Sequence, residues 1–311
     1  MNSFTRQSSL ILKALLAFLL AALLMSCDSS KEVKGPKYGE KLEKNSVKVI
    51  RFAIHPLHNP QKLAEDYQPV IDLLNSKQNA VRFELEASRD YASFEKKLRE
   101  REPEFALPNP WQTLQAIKVG YKVIAMAGEP EDFKGLIIVR KDSGISQLNQ
   151  LIGKEISYPS PTALAACMMP QLYLQNHGIN VMSQTKRIYV GSQESSIMNV
   201  YLKQTSAGAT WPPPWRAFQR EHPTEASQLK VAWQTDSLVN NSVMARDDMP
   251  PDLVNLVKST LEGLSTTSAG QNILLQMETK RFIPANDDDY QKVGNYIQNF
   301  ENKVRKVEDF N

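Results

Sequence analysis

Three groups of residues have the types and spacing to do chemistry. Ser160-Pro161-Thr162-Ala163 opens an apolar stretch, and hydroxyls with backbone N–H groups at a helix start form an anion site, because the first-turn amides have no acceptor inside the helix. The same groups also serve as caps, so the motif by itself leaves cap and anion site both open. His55-x-x-His58 could begin a metal site, but zinc needs three or four ligands, and His177 and His222 stand at no motif spacing; no metal site is expected. Asp287-Asp288-Asp289 lacks the Gly and the terminal Glu of a calcium loop and reads as a helix-start cluster before Tyr290. The chain contains no GxSxG elbow, P-loop, GxGxxG or HExxH, so neither catalysis nor a cofactor is expected. Of the two cysteines, Cys167 lies in an apolar stretch and reads as a buried small hydrophobe.

The other cysteine closes a different pattern. Arg6 and Lys13 precede an apolar run from Ala14 to Met25, 12 residues long and closed by Asp28. A membrane span needs about 20 apolar residues, so this is the core of a signal peptide. Leu24-Met25-Ser26-Cys27 then resembles a lipobox, which makes Cys27 the site of lipid attachment; a plain secretory signal with an incidental cysteine is the alternative. Asp28 resembles the signal that keeps enterobacterial lipoproteins at the inner membrane. Cleavage before Cys27 leaves 285 residues with 35 basic against 34 acidic side chains, no field for a nucleic acid. From 27 to 46 the chain is Lys, Glu, Ser and Gly rich without apolar period, a tether.

The elements that must position these groups begin near Val47. Strand-like and helix-like segments alternate: Val47–Ile54, then apolar residues at helical spacing over Gln61–Ser76 with Pro69 expected to kink or restart the helix, then Val81–Ala87 and a helix marked by Tyr91, Phe94 and Leu98. Glu104–Leu107, Trp111–Val119 and Tyr121–Ala127 repeat the pattern, as do Glu155–Tyr158, Thr162–His177, Arg187–Val190, Ser195–Gln204 and Ala207–Trp211. Repeated βαβ units imply mostly parallel sheets covered on both faces. Two strands end in charge, at Arg140-Lys141-Asp142 and Arg246-Asp247-Asp248, and read as paired crossovers. The expected fold is α/β with two lobes, 47–139 with 243–311 and the inserted 140–242, facing a shared cleft.

The order of five motifs carries a family resemblance: Arg51-Phe52-Ala53-Ile54-His55-Pro56, Leu63-Ala64-Glu65-Asp66-Tyr67-Gln68-Pro69-Val70, Asp90-Tyr91-Ala92, Ile137 through Ile145, and Gly191-Ser192-Gln193-Glu194. From Lys48 to Pro284 the chain resembles the phosphonate/phosphite/phosphate-type substrate-binding proteins of ABC transporters, with a type II periplasmic-binding-protein fold. The resemblance implies a monomeric lipid-anchored receptor on the periplasmic side of the membrane, closing on a small oxyanion or an organic ester and docking on an ABC permease or another inner-membrane protein. It also implies where ligand contacts fall: Tyr91, Asn109, Trp111, Ser160, Thr162, Ala163, Gln193, Trp211 and Asn241.

Position by position the chemistry has changed. The family's Ser-Thr-Ser reads Pro161-Thr162-Ala163, so only Thr162 keeps hydroxyl and N–H, with Ser160 one residue earlier. Each lost bond to a charged group is worth roughly 1.5–3 kcal/mol. Gln193 replaces a histidine, and no carboxylate remains where aminophosphonate binders hold an ammonium. An accessory or sensing lipoprotein with a diverged pocket is therefore the alternative function. Trp111, Trp211 and Trp215 suit core packing as well as a ligand platform.

Overall fold

The computed structural model describes residues 47–307; the apolar N-terminal run, Cys27 and the tether lie outside the described residues. Among the described residues no helix is long and apolar enough to cross a membrane. In chain order, numbering strands and helices separately, the first half runs β1 (Lys48–Ile54), α1 (Pro60–Ser76), β2 (Val81–Glu86), α2 (Tyr91–Arg99), β3 (Phe105–Leu107), α3 (Pro110–Lys118) and β4 (Tyr121–Ala127). The second half runs β5 (Leu136–Arg140), β6 (Glu155–Tyr158), α4 (Met169–Asn176), α5 (Val181–Gln184), β7 (Lys186–Tyr189), α6 (Gln193–Tyr201), β8 (Ala207–Thr210), α7 (Pro212–Glu221), α8 (Pro223–Ser227) and β9 (Leu229–Gln234). The chain then returns through β10 (Ser242–Arg246), α9 (Pro251–Gly263), α10 (Ser268–Gln276), β11 (Phe282–Ile283) and α11 (Gln291–Lys303).

These strands form two sheets, ordered β11-β4-β10-β3-β1-β2 and β7-β6-β8-β5-β9. In the first, β1 lies parallel to both β2 and β3, while β10 opposes β3 and β4, and β11 opposes β4. In the second, β6 lies parallel to β7 and β8, and β5 opposes β8 and β9. Most strands of each sheet therefore run one way, as the βαβ repeats require.

The helices follow the apolar spacing. In α1 the residues Leu63, Tyr67, Val70, Ile71 and Leu74 are buried, and the Asn59 side chain caps the Lys62 N–H at 2.9 Å. Pro60 occupies the first turn, where its missing N–H has no partner to lose. The helix runs unbroken through Pro69, without the expected restart.

The crossovers differ from expectation. The charged-ended strands β5 and β10 are not themselves the crossovers; each is an inner strand of its own sheet. The side chains of β5 alternate between two apolar clusters, Ile137 and Val139 in one, Leu136 and Ile138 in the other. The chain instead passes between the sheets at 128–135 and 235–241, which hydrogen-bond to each other: Thr235 N–H to Gly135 O at 2.9 Å, Leu238 N–H to Phe133 O at 2.9 Å, and Asn240 Nδ2 to Glu129 O at 2.8 Å. Gly128 turns here with φ +83°, and a Cβ at that position would stand 3.0 Å from Asn240 Nδ2.

Candidate functional site

The parallel strands of both sheets deliver their carboxyl ends to one place, where chain after chain turn exposes a helix start. His55 follows β1, Tyr91 opens α2 after β2, and Asn109 caps α3 after β3; Ser160 and Thr162 follow β6, Gln193 opens α6, and Trp211 caps α7 after β8. A cavity of about 10 Å³ lies among His55, Tyr91, Asn109, Ala163, Gln193 and Asn241, with Phe133, Trp211 and residues 164–166 completing its wall. That is room for about one water molecule, so the halves must part to admit a larger solute.

The second-half wall is a helix start of unusual pitch. Leu164–Met168 is a π-helical turn running into α4, and its first i→i+5 bond is Met168 N–H to Ala163 O at 3.2 Å. The N–H groups of Leu164, Ala165 and Ala166 therefore precede any acceptor in the helix, and these residues line the cavity. Alanines at 163, 165 and 166 keep side chains short beside that backbone.

The first-half wall supplies side chains. Tyr91 accepts from Gln193 Nε2 at 3.1 Å, and Gln193 Oε1 accepts in turn from Thr210 Oγ1 at 3.0 Å. With its oxygen receiving that bond, the phenol still has its O–H to give, and burial holds it protonated by pushing its pKa far up. His55 sits 2 % exposed with Nδ1 2.8 Å from Leu107 O. A carbonyl only accepts, so Nδ1 carries the hydrogen and Nε2 the lone pair. Burial, with a smaller contribution from His58, lowers this imidazole to about 4; it is neutral at physiological pH. Asn241 is 3 % exposed, and its Oδ1 makes no hydrogen bond.

The hydroxyls expected at the ligand are engaged elsewhere. Thr162 Oγ1 donates to Glu95 Oε1 at 2.5 Å and lies 3.1 Å from Ser160 Oγ, which also accepts the Thr162 N–H at 3.3 Å. Glu95 also receives Gln112 Nε2 at 2.9 Å. Burial raises the Glu95 carboxyl to about 7 against the pull of those two bonds. Asn109 Nδ2 donates to Thr162 O at 3.2 Å, while its Oδ1 caps the Gln112 N–H at 3.0 Å. Behind the same loop Arg305 Nη2 donates to Pro161 O at 2.6 Å. The loop after β6 is thus tied to α2, α3 and the chain after α11.

Of the expected contacts the structure gathers Tyr91, Asn109, Ala163, Gln193, Trp211 and Asn241 around the cavity. Trp111 is a correction. At 1 % exposure it lies in the first-half core, because the capping box of Asn109 and Gln112 starts α3 with the indole on its buried face. Ser160 and Thr162 stand beside the cavity with their hydroxyls turned to each other and to Glu95. Missed from sequence were His55, weighed only as a metal ligand, and Glu95, one helical turn after Tyr91 on α2; that i,i+4 spacing was the available signal.

A second set of contacts closes the rim. Lys62 Nζ lies 2.7 Å from Asp66 Oδ1 and 3.0 Å from Glu221 Oε1 on α7. Arg216 Nε meets Glu278 Oε2 at 2.9 Å and its Nη1 meets Asp132 Oδ1 at 3.3 Å; Arg220 also pairs with Glu278. His58, Trp211, Asn240 and Glu278 line a cavity of about 20 Å³ beneath them.

A family model described as ABC transporter, phosphonate, periplasmic substrate-binding protein matches residues 52–290. The chain belongs to this family. A curated relative from Prochlorococcus marinus, named as a probable ABC transporter phosphite binding protein, is 24% identical over 184 residues. That match spans 55% of this chain and 62% of the relative's length. The crystal structure of PhnD1 from Prochlorococcus marinus in complex with methylphosphonate superposes with TM-score 0.75 at 21% identity, covering 84% of this chain and 99% of that one. A binding protein component of a phosphonate ABC transporter from Pseudomonas aeruginosa superposes with TM-score 0.73 at 18% identity, covering 80% and 85%. The fold is that of type II periplasmic binding proteins. The family is one of solute-binding proteins.

Proposed function

We propose that this chain is the extracytoplasmic solute receptor of an ABC importer and that it closes on a small oxyanion of the phosphonate, phosphite or phosphate class. One observation carries the reading. Leu164, Ala165 and Ala166, whose N–H groups precede any acceptor in the π-turn, line one cavity together with Tyr91 and Asn241, where two sheets linked among the described residues by two crossovers meet. Amides at a helix start and an unspent O–H are what an oxyanion needs. Parting of the halves about 128–135 and 235–241 would admit it, and the bonds from Thr162 to Glu95 and from Gln193 to Tyr91 would re-form behind it. Domain bounds in this reading follow the crossovers. A lipid on Cys27 would hold the receptor at the membrane, with Asp28 favouring the inner membrane and a permease as its partner.

Isothermal titration calorimetry of the full chain with methylphosphonate, phosphite and phosphate at pH 6 tests it; one-to-one binding of at least one is expected, and silence from all three sinks the oxyanion reading. The sensing or accessory alternative is favoured by the diversion of the Thr162 hydroxyl to Glu95. It predicts that silence.

A further inference from the structure

The cavity contains acceptors where a site for a fully ionised oxyanion would hold only donors. The single protein hydrogen bond of the His55 ring, among the described residues, uses Nδ1, which leaves the Nε2 lone pair unmatched beside the cavity. Asn241 Oδ1 is a buried acceptor with no donor. A buried polar atom left unpaired costs about 1–3 kcal/mol, and an ionised ligand oxygen, itself an acceptor, cannot relieve it. A ligand O–H or N–H can, in place of the one water for which the closed cavity has room.

Charge points the same way. Among the described residues the cavity wall holds no lysine, no arginine and no protonated histidine. One carboxyl, Glu95, stands behind Thr162 and accepts its hydroxyl. Neutral amides and a phenol can stabilise one negative charge; a second would enter a low-dielectric site with no counter-charge.

Resting on the oxyanion reading above, we propose that the site selects the singly ionised, protonated form of a phosphorus oxyacid. Its P–OH donates to Nε2 of His55, and its unprotonated oxygens accept from the N–H groups of Leu164–Ala166 and from the Tyr91 O–H. The titratable groups facing the imidazole are Tyr91 on α2, edge-on at 6.3 Å between ring centroids, and His58 on the same loop. Beyond Tyr91 stand Glu95 and, on the π-turn, Cys167, both felt by the phenol; Asp90 and Arg99 act on Glu95. None of these places a cation at Nε2 in the neutral range, since burial also holds His58 down at about 4. The acceptor therefore persists wherever the ligand's second proton comes off.

The test is calorimetry of the full chain, pH 5 to 8.5, in the Glu95→Gln background so that this carboxyl does not titrate. Methylphosphonate is compared with its trifluoromethyl analogue, whose second ionisation lies at lower pH. The expected result is an affinity that falls about tenfold per pH unit above each ligand's own second ionisation, with the break moving between the two ligands. Titrations in buffers of different ionisation enthalpy should show about one proton taken up when the dianion is supplied. His55→Leu should abolish the break, and His55→Gln, whose amide oxygen still accepts, should restore it. A break at the same pH for both ligands, or dianion binding without proton uptake, overturns the proposal while leaving an oxyanion receptor in place. Absence of binding by either ligand at every pH removes the oxyanion reading and this proposal together.

Discussion

The two halves meet in two different ways. Deep in the cleft the contacts are hydrogen bonds of half-buried and buried groups: Thr162 to Glu95, Asn109 to the Thr162 carbonyl, Gln193 to Tyr91. At the rim they are ion pairs between partly exposed side chains, Lys62 with Glu221 and Arg216 with Asp132 and Glu278. The inner bonds lose water on closing and are worth their full strength only when every partner is in place. The outer pairs keep their solvent and each contributes about 0–1 kcal/mol. The floor therefore decides whether the cleft stays shut on a given solute, and the rim tunes how readily it shuts.

Removing the inner donor should have the largest effect. Thr162→Val leaves Glu95 with Gln112 alone and should weaken methylphosphonate binding by about tenfold to a hundredfold, the range of one charge-assisted bond. Calorimetry reads it, and a change no larger than that of a rim variant would erase the contrast. Next comes pH. In the closed form burial raises Glu95 to about 7, against an ordinary value of 4.5. Its folded pKa lies above its unfolded one, so the closed form binds the extra proton. Stability from this group is fully present below 4.5 and is lost as pH rises through 7. With a ligand of fixed charge, affinity should fall by up to about tenfold per unit within that window and level off above it, and Glu95→Gln should remove the slope. A wild-type profile without slope would mean that the carboxyl binds its proton equally in the open and closed forms.

The smallest effect belongs to the rim. Glu278→Gln removes the charge shared by Arg216 and Arg220 and should change affinity by about two- to fivefold. Raising salt from about 50 to 500 mM should weaken the wild type by a similar factor and the variant less, measured as association and dissociation rates by stopped flow. A rim variant that lost a hundredfold would show that charge, not the buried network, holds the halves together.

The alternation of strand and helix was legible because each element's apolar period is local. Apolar runs at Val47–Ile54 and Tyr121–Ala127, and the Leu63-Tyr67-Val70-Leu74 face of α1, need no knowledge of partners. The crossovers were not legible, since Leu136–Arg140 reads identically as a hinge strand or as an inner strand, and only its neighbours β8 and β9 decide. The site was half legible for the same reason. Chain order places Tyr91, Asn109, Gln193 and Trp211 at strand ends, but the partner of the Thr162 hydroxyl is 67 positions away. Nothing in Pro161-Thr162-Ala163 announces Glu95. Nor does any motif in Leu164–Met168 announce the π-turn.

Trp211 reports on the central claim, because its indole borders both cavities and packs against Phe133 at 5.4 Å between ring centroids. Its emission, isolated by difference against Trp211→Phe, should change saturably and one-to-one as methylphosphonate or phosphite is added to the full chain. Calorimetric binding of either ligand with the Trp211 signal unmoved would locate the solute outside the cleft and contradict the account.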